Sequence, residues 1–82
     1  MLRAEINVTL KKTVSDPQGL TIKHALESLG YKGLADVRIG KFLIIRLEHK
    51  DKKKAEKEVG QMCKKLLANL VIEDYRFNII EE

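Results

Sequence analysis

The stretch Asp36-Val37-Arg38-Ile39-Gly40-Lys41-Phe42-Leu43-Ile44-Ile45-Arg46-Leu47-Glu48 decides how this chain folds. Gly40-Lys41 places glycine first in a two-residue step, as a type II′ hairpin turn requires. It divides the stretch into a short strand, Asp36–Ile39, and a longer one, Phe42–Glu48. Leu43, Ile45 and Leu47 line one face of the longer strand. The other face runs Phe42, Ile44, Arg46, Glu48, so it is apolar at one end only.

Upstream, Tyr31–Ala35 reads as a loop. Ile22, Ala25, Leu26 and Leu29 before it fall at i, i+3, i+4 and i+7, one face of a helix. Asp16 supplies an N-cap carboxylate, Pro17 an N1 proline and Gly30 a left-handed stop, giving a helix of about 13 residues. Lys11–Ser15 turns the chain. Before that, Leu2, Ala4, Ile6, Val8 and Leu10 alternate with Arg3, Glu5, Asn7 and Thr9, the pattern of a half-buried strand. Downstream, Asp51 caps a second helix with Ala55, Val59, Met62, Cys63, Leu66, Leu67 and Leu70 on one side, stopping near Asn69. Tyr75–Ile80 alternates once more before Glu81-Glu82. The order β-α-β-β-α-β in one domain, residues 1–82, is that of a ferredoxin-like α+β sandwich, an antiparallel sheet with two helices on one face. That architecture hosts enzymes, RNA binders and regulatory modules alike, so it settles no function.

Size sharpens the expectation. At 9.4 kDa the chain should expose roughly 5,000 Å² when compactly folded, having buried ~63% of its unfolded surface. With so thin a core, the uncovered sheet face carrying Phe42 and Ile44, beside Tyr75 and Phe77 or Asn78 and Ile80, is expected to pair with another chain. The +4 charge suggests nucleic acid at first. However, the dense run Lys50-Asp51-Lys52-Lys53-Lys54-Ala55-Glu56-Lys57-Glu58 mixes both signs and reads as a solvated helix face. No apolar run is long enough to span a membrane, and the alternating, charged N-terminus is no signal peptide. One cysteine suits a reducing cytoplasm.

The chemical inventory is thin. His24, His49 and Cys63 lack metal-ligand spacing, and Cys63 lies in the apolar stripe of the second helix, where a thiol acts as a small hydrophobe. No phosphate-binding glycine loop or nucleophile elbow occurs. An RNA-recognition sheet needs stacking aromatics, and Gly40–Ile45 offers only Phe42. An acylphosphatase-like cradle needs an arginine where Lys11–Ser15 has lysines. Gly19 stands out, because glycine early in a helix costs ~1 kcal/mol against alanine. It serves either close packing at the helix start or the approach of a partner or anion there.

Asp16-Pro17-Gln18-Gly19, Ala25-Leu26 with Leu29-Gly30-Tyr31, Val37-Arg38-Ile39-Gly40-Lys41, Met62 to Asn69, and Val71-Ile72-Glu73-Asp74-Tyr75 together resemble the PurS family. PurS is the small subunit of phosphoribosylformylglycinamidine synthase. The likeness covers nearly the whole chain in order and spacing. Leu70 departs from the family's usual proline, and the second helix opens with more lysine than is common. The resemblance implies a non-catalytic bridging subunit between a glutaminase, PurQ, and a synthetase, PurL, that helps ammonia pass between their sites in purine (IMP) synthesis. The complex converts formylglycinamide ribonucleotide, glutamine and ATP to formylglycinamidine ribonucleotide, glutamate, ADP and phosphate. It implies no catalytic, cofactor-binding or metal-binding residue in this chain, with ATP and magnesium held by the synthetase. Partner contacts are then expected at Asp16, Gln18, Gly19, Arg38 and Lys41, and homodimer contacts at Phe42 and Ile44, with further pairing into tetramers left open. The alternative is a stand-alone, small-molecule-sensing regulatory module of ferredoxin-like fold.

Overall fold

The computed structural model describes all 82 residues. Strand β1 (Leu2–Leu10), helix α1 (Pro17–Ser28), strand β2 (Gly40–Leu47), helix α2 (Lys52–Met62), a π-helical turn (Cys63–Leu67) and strand β3 (Glu73–Glu81) follow in order. The strands form one antiparallel sheet in the order β2-β1-β3.

The alternation in β1 places it at the centre. Ile6 pairs with Leu43 and Phe77, and Ala4 with Ile45 and Ile79. This face meets Ala55, Val59 and Cys63, which α2 and the π-turn present at four-residue spacing, and all of these β1 and α2 residues are fully buried. Tyr75 and Phe77 stack on the same face with ring centroids 6.4 Å apart. The opposite face carries Phe42, Asn7 and Arg76 in one row, then Ile44, Glu5 and Asn78, then Arg46, Arg3 and Ile80. Asn78 and Ile80 therefore share the open face with Phe42 and Ile44.

The α+β class, the antiparallel sheet and both helix starts follow the expectation. Asp16 caps α1 and Asp51 caps α2, their carboxylates accepting from the Gly19 N–H at 2.9 Å and the Lys54 N–H at 3.1 Å. Gly30 takes the left-handed conformation at φ +98°.

Four features differ. There is no hairpin at Gly40-Lys41; these residues open β2, paired with Thr9 and Val8. Asp36–Ile39 is not a strand of this sheet, because its polar groups bond to the start of the α1 excursion, as described below. The second helix also changes register. The Ala68 N–H donates five residues back to the Cys63 carbonyl at 3.0 Å. This wide turn brings Ala68 into the core and leaves Leu66 83% exposed and Leu70 45% exposed, although the regular helical spacing puts both on the apolar face.

The largest difference concerns α1. Helix α2 packs on β1 and β3, but α1 buries only Gly19 and leaves Leu20, Ile22 and Leu29 in solvent. The radius of gyration is 16.3 Å, against about 12 Å for a compact chain of this length. The accessible surface is 6266 Å², well above the roughly 5,000 Å² of a compact domain.

Candidate partner-contact site

The excursion between β1 and β2 leaves and returns at one end of the sheet. Three of the five candidate contact residues hold its two feet together. The Asp16 carboxylate accepts from Gly19 N–H through Oδ1 at 2.9 Å and from Ile39 N–H through Oδ2 at 2.8 Å. The guanidinium of Arg38 donates through Nη2 to the carbonyls of Lys11 at 2.9 Å and Val14 at 2.7 Å. Gly19 lies against the returning chain so closely that a Cβ there would sit 2.1 Å from the Val37 carbonyl oxygen. Close packing is thus a sufficient reason for this glycine.

The clasp also sets the charge at its centre. Asp16 is buried, yet its pKa lies below the ordinary carboxylate value. The Ile39 N–H contributes most, followed by the Gly19 N–H, and the nearby Arg38 cation adds to them against the effect of desolvation.

Gln18 and Lys41 have exposed side chains. They line, together with Asp16, Ile39, Gly40 and Glu73, a depression of about 210 Å³. The Lys41 ammonium lies 3.8 Å from the Glu73 carboxylate, which also accepts from the Asn69 N–H at 2.8 Å. Sequence reasoning assigned no role to Glu73. Its signal is the Asn69-to-Glu73 spacing, which closes the turn into β3 with the Ile72 and Glu73 N–H groups donating to the Asn69 carbonyl. Phe42 and Ile44 lie on the far side of the sheet from α2, 58% and 55% exposed.

The remaining reactive groups stand apart. His24 is exposed on α1, and His49 lies 3.3 Å from Glu58 after β2. Cys63 is fully buried, and burial raises its thiol pKa. No three His, Cys, Asp or Glu side chains converge as a metal site would require.

A family model described as PurS, phosphoribosylformylglycinamidine (FGAM) synthase, matches residues 3–81. The chain belongs to the PurS family. It is 46% identical to the PurS subunit of Bacillus subtilis over 99% of this chain and 95% of that one. It is 42% identical to the PurS subunit of Methanocaldococcus jannaschii over 96% and 95%. The solved structure of Bacillus subtilis PurS superposes with a TM-score of 0.88 over 99% of this chain and 100% of that one. A chain of PurLQS from Thermotoga maritima superposes at 0.87, with 30% identity and 96% of each chain covered.

The family segments now have structural addresses. Asp16–Gly19 and Val37–Lys41 are the two feet of the excursion, and Met62–Tyr75 spans the π-turn and the entry to β3. Leu70 occupies the second position of a turn closed by the Ile72 N–H on the Asn69 carbonyl at 3.1 Å. That position favours proline but accepts most residues, so leucine leaves the turn intact.

Proposed function

We propose that this chain, a subunit of phosphoribosylformylglycinamidine synthase, bridges a PurQ-type glutaminase and a PurL-type synthetase in the cytoplasm and helps carry ammonia between them. The observation that carries this is family membership over residues 3–81, joined to the likeness to a chain of the PurLQS assembly. Ammonia released into neutral water takes up a proton and loses its nucleophilic lone pair, so its passage to an acceptor must be enclosed. A subunit can serve that need without a catalytic side chain of its own. ATP and magnesium then act in the synthetase, and this chain contributes surface.

The excursion's feet are the favoured contact region. Gln18 and Lys41 present exposed polar side chains at the rim of the depression, Lys41 beside Glu73, and Asp16, Gly19 and Arg38 hold that rim in shape. On the opposite face, Phe42 and Ile44 favour self-association, since two adjacent large apolar side chains on one strand face are left uncovered. No helix of the structure is long and apolar enough to cross a membrane. The stand-alone small-molecule-sensing reading finds no support among the relatives, all of which carry the subunit name.

Co-purification tests the bridging role. Tagged PurQ should retain PurL in the presence of glutamine and nucleotide when this chain is added, and Gln18→Glu with Lys41→Glu should weaken that retention. Equal retention without the chain would refute the bridge.

A further inference from the structure

Helix α2 and its flanks carry the net charge of the chain, and the fold sorts that charge by side. Seven lysines stand against three acids between residues 50 and 65, which accounts for the whole +4 of the protein. In sequence the two signs are interleaved, but on the helix they separate. The Asp51 carboxylate accepts from the Lys54 N–H at 3.1 Å, Glu58 faces His49 at 3.3 Å, and Glu56 lines a depression beside Phe77 and Asn78. At about 100° per residue, Lys53, Lys57 and Lys64 fall within about 40° of one another, on the side away from buried Ala55, Val59 and Cys63. All three are exposed, and none of the seven lysines forms an ion pair.

The lysines work against their own helix. Lys52, Lys53 and Lys54 directly follow the Asp51 cap, and no acidic residue shares that first turn. The N-terminal end of a helix carries partial positive charge, so carboxylates are favoured there and ammonium groups are not. Lys53 and Lys57, one turn apart, also repel each other. A local rule broken with no gain inside the chain marks a surface shaped by something outside it. The kind of partner follows from the form of the row. It is straight, about 16 Å from Lys53 to Lys64, and made of ammonium point charges rather than the planar guanidinium forks that suit phosphate. No aromatic residue occurs between positions 50 and 70 to stack a base. Beyond Lys64, Leu66 is 83% exposed, an apolar contact that a protein surface can cover.

We propose that this face of α2 docks the acidic face of a helix in another protein. Carboxylates at i, i+4, i+7 and i+11 of such a helix match the lysine spacing in either chain direction. One rigid element can then meet Lys53, Lys57 and Lys64 together, with Leu66 against an apolar side chain at the end of the row. Carboxylates brought to the first turn also relieve the unfavourable charge at the helix start. Exposed pairs of this kind are individually weak and screened by salt. What they supply together is fast, oriented encounter. The face shares no residue with the feet of the α1 excursion, so the inference does not rest on the bridging role.

Fluorescence anisotropy at low salt tests this with the full chain and two labelled probes. One is an alanine-rich helical peptide with glutamates at i, i+4, i+7 and i+11 on one face. The other is a peptide of the same composition with the glutamates spread around the helix. The matched peptide should bind more tightly, and its binding should weaken steeply as salt is added. Lys53→Glu with Lys57→Glu should weaken it about tenfold or more, as expected from losing two exposed pairs and gaining two repulsions. Because glutamate suits the first turn, this variant should melt no lower than the wild type, and Lys53→Gln with Lys57→Gln provides a second variant without charge reversal. Lys12→Glu with Lys32→Glu, both exposed on the excursion, makes the same change in net charge and should leave most of the binding in place. Equal binding of the two peptides, or equal loss in the α2 and excursion variants, would overturn the docking face. An oligouridylate that binds the same lysines more tightly than the matched peptide would overturn the assignment to an acidic protein.

Discussion

Replacing Gly19 with alanine asks whether the clasp is a packing constraint. At an unconstrained helix position this change stabilises by about 1 kcal/mol through helix propensity. Here the new Cβ would stand 2.1 Å from the Val37 carbonyl oxygen and 2.9 Å from its carbon, where ordinary contact begins near 3.4 Å. The helix start and the returning chain must therefore separate by more than ~1 Å, which lengthens hydrogen bonds beyond the useful range. One carboxylate bonds both sides, at 2.9 Å to Gly19 and 2.8 Å to Ile39, so the bonds cannot both survive that separation. Overpacking of this kind costs about 1–3 kcal/mol. Losing one of the two clasp bonds adds about 1 kcal/mol, which the propensity gain offsets, so the net loss should be about 1–3 kcal/mol, or a fall in Tm of roughly 5–20 °C for a domain of this size. Circular dichroism melts at one fixed chain concentration measure it, since self-association would otherwise shift Tm. An unchanged or higher Tm would show that nothing at Val37 requires a glycine here.

Other expectations follow from the same geometry. Asp16 has a folded pKa below its unfolded value, so its contribution is fully present above pH ~4 and is lost as pH falls through the folded pKa. Asp16→Asn should flatten the acid limb of the Tm–pH curve, and an unaltered limb would remove the clasp carboxylate from the account. Cys63 should react with a disulfide reagent far more slowly in the native protein than in denaturant, because burial both shields the thiol and disfavours its thiolate; equal rates would contradict its place in the core. Phe42→Asp should lower the weight-average mass in sedimentation, and an unchanged mass would exclude that face from self-association.

Much of this was legible in the residues. Strict alternation located β1, because a central strand buries every second side chain. Asp16-Pro17 and Asp51 located both helix starts, since capping is local chemistry. The middle stretch misled for the opposite reason. Gly40-Lys41 has the composition of a turn, and the competing partners of Ile39 and Arg38 lie 23 to 27 residues away. The π-turn leaves no mark in the sequence, because the apolar spacing through Leu70 fits a single helical period. The expected contact residues were found as a group through the family likeness. That Asp16, Gly19 and Arg38 hold the excursion's feet together while Gln18 and Lys41 stay exposed, Lys41 beside Glu73, is set by three-dimensional contacts. The apolar stripe of α1 was readable, but not that α1 stands clear of its own sheet.

Glutamine-dependent synthesis is the sharpest measure of the bridging role. PurQ and PurL are assayed for formylglycinamidine ribonucleotide with and without this chain, once with glutamine and once with ammonium salt as the nitrogen source. Glutamine-dependent synthesis should require the chain, while synthesis from free ammonia, which needs no enclosed passage, should proceed without it. Equal glutamine-dependent rates in its presence and absence would contradict the bridging role.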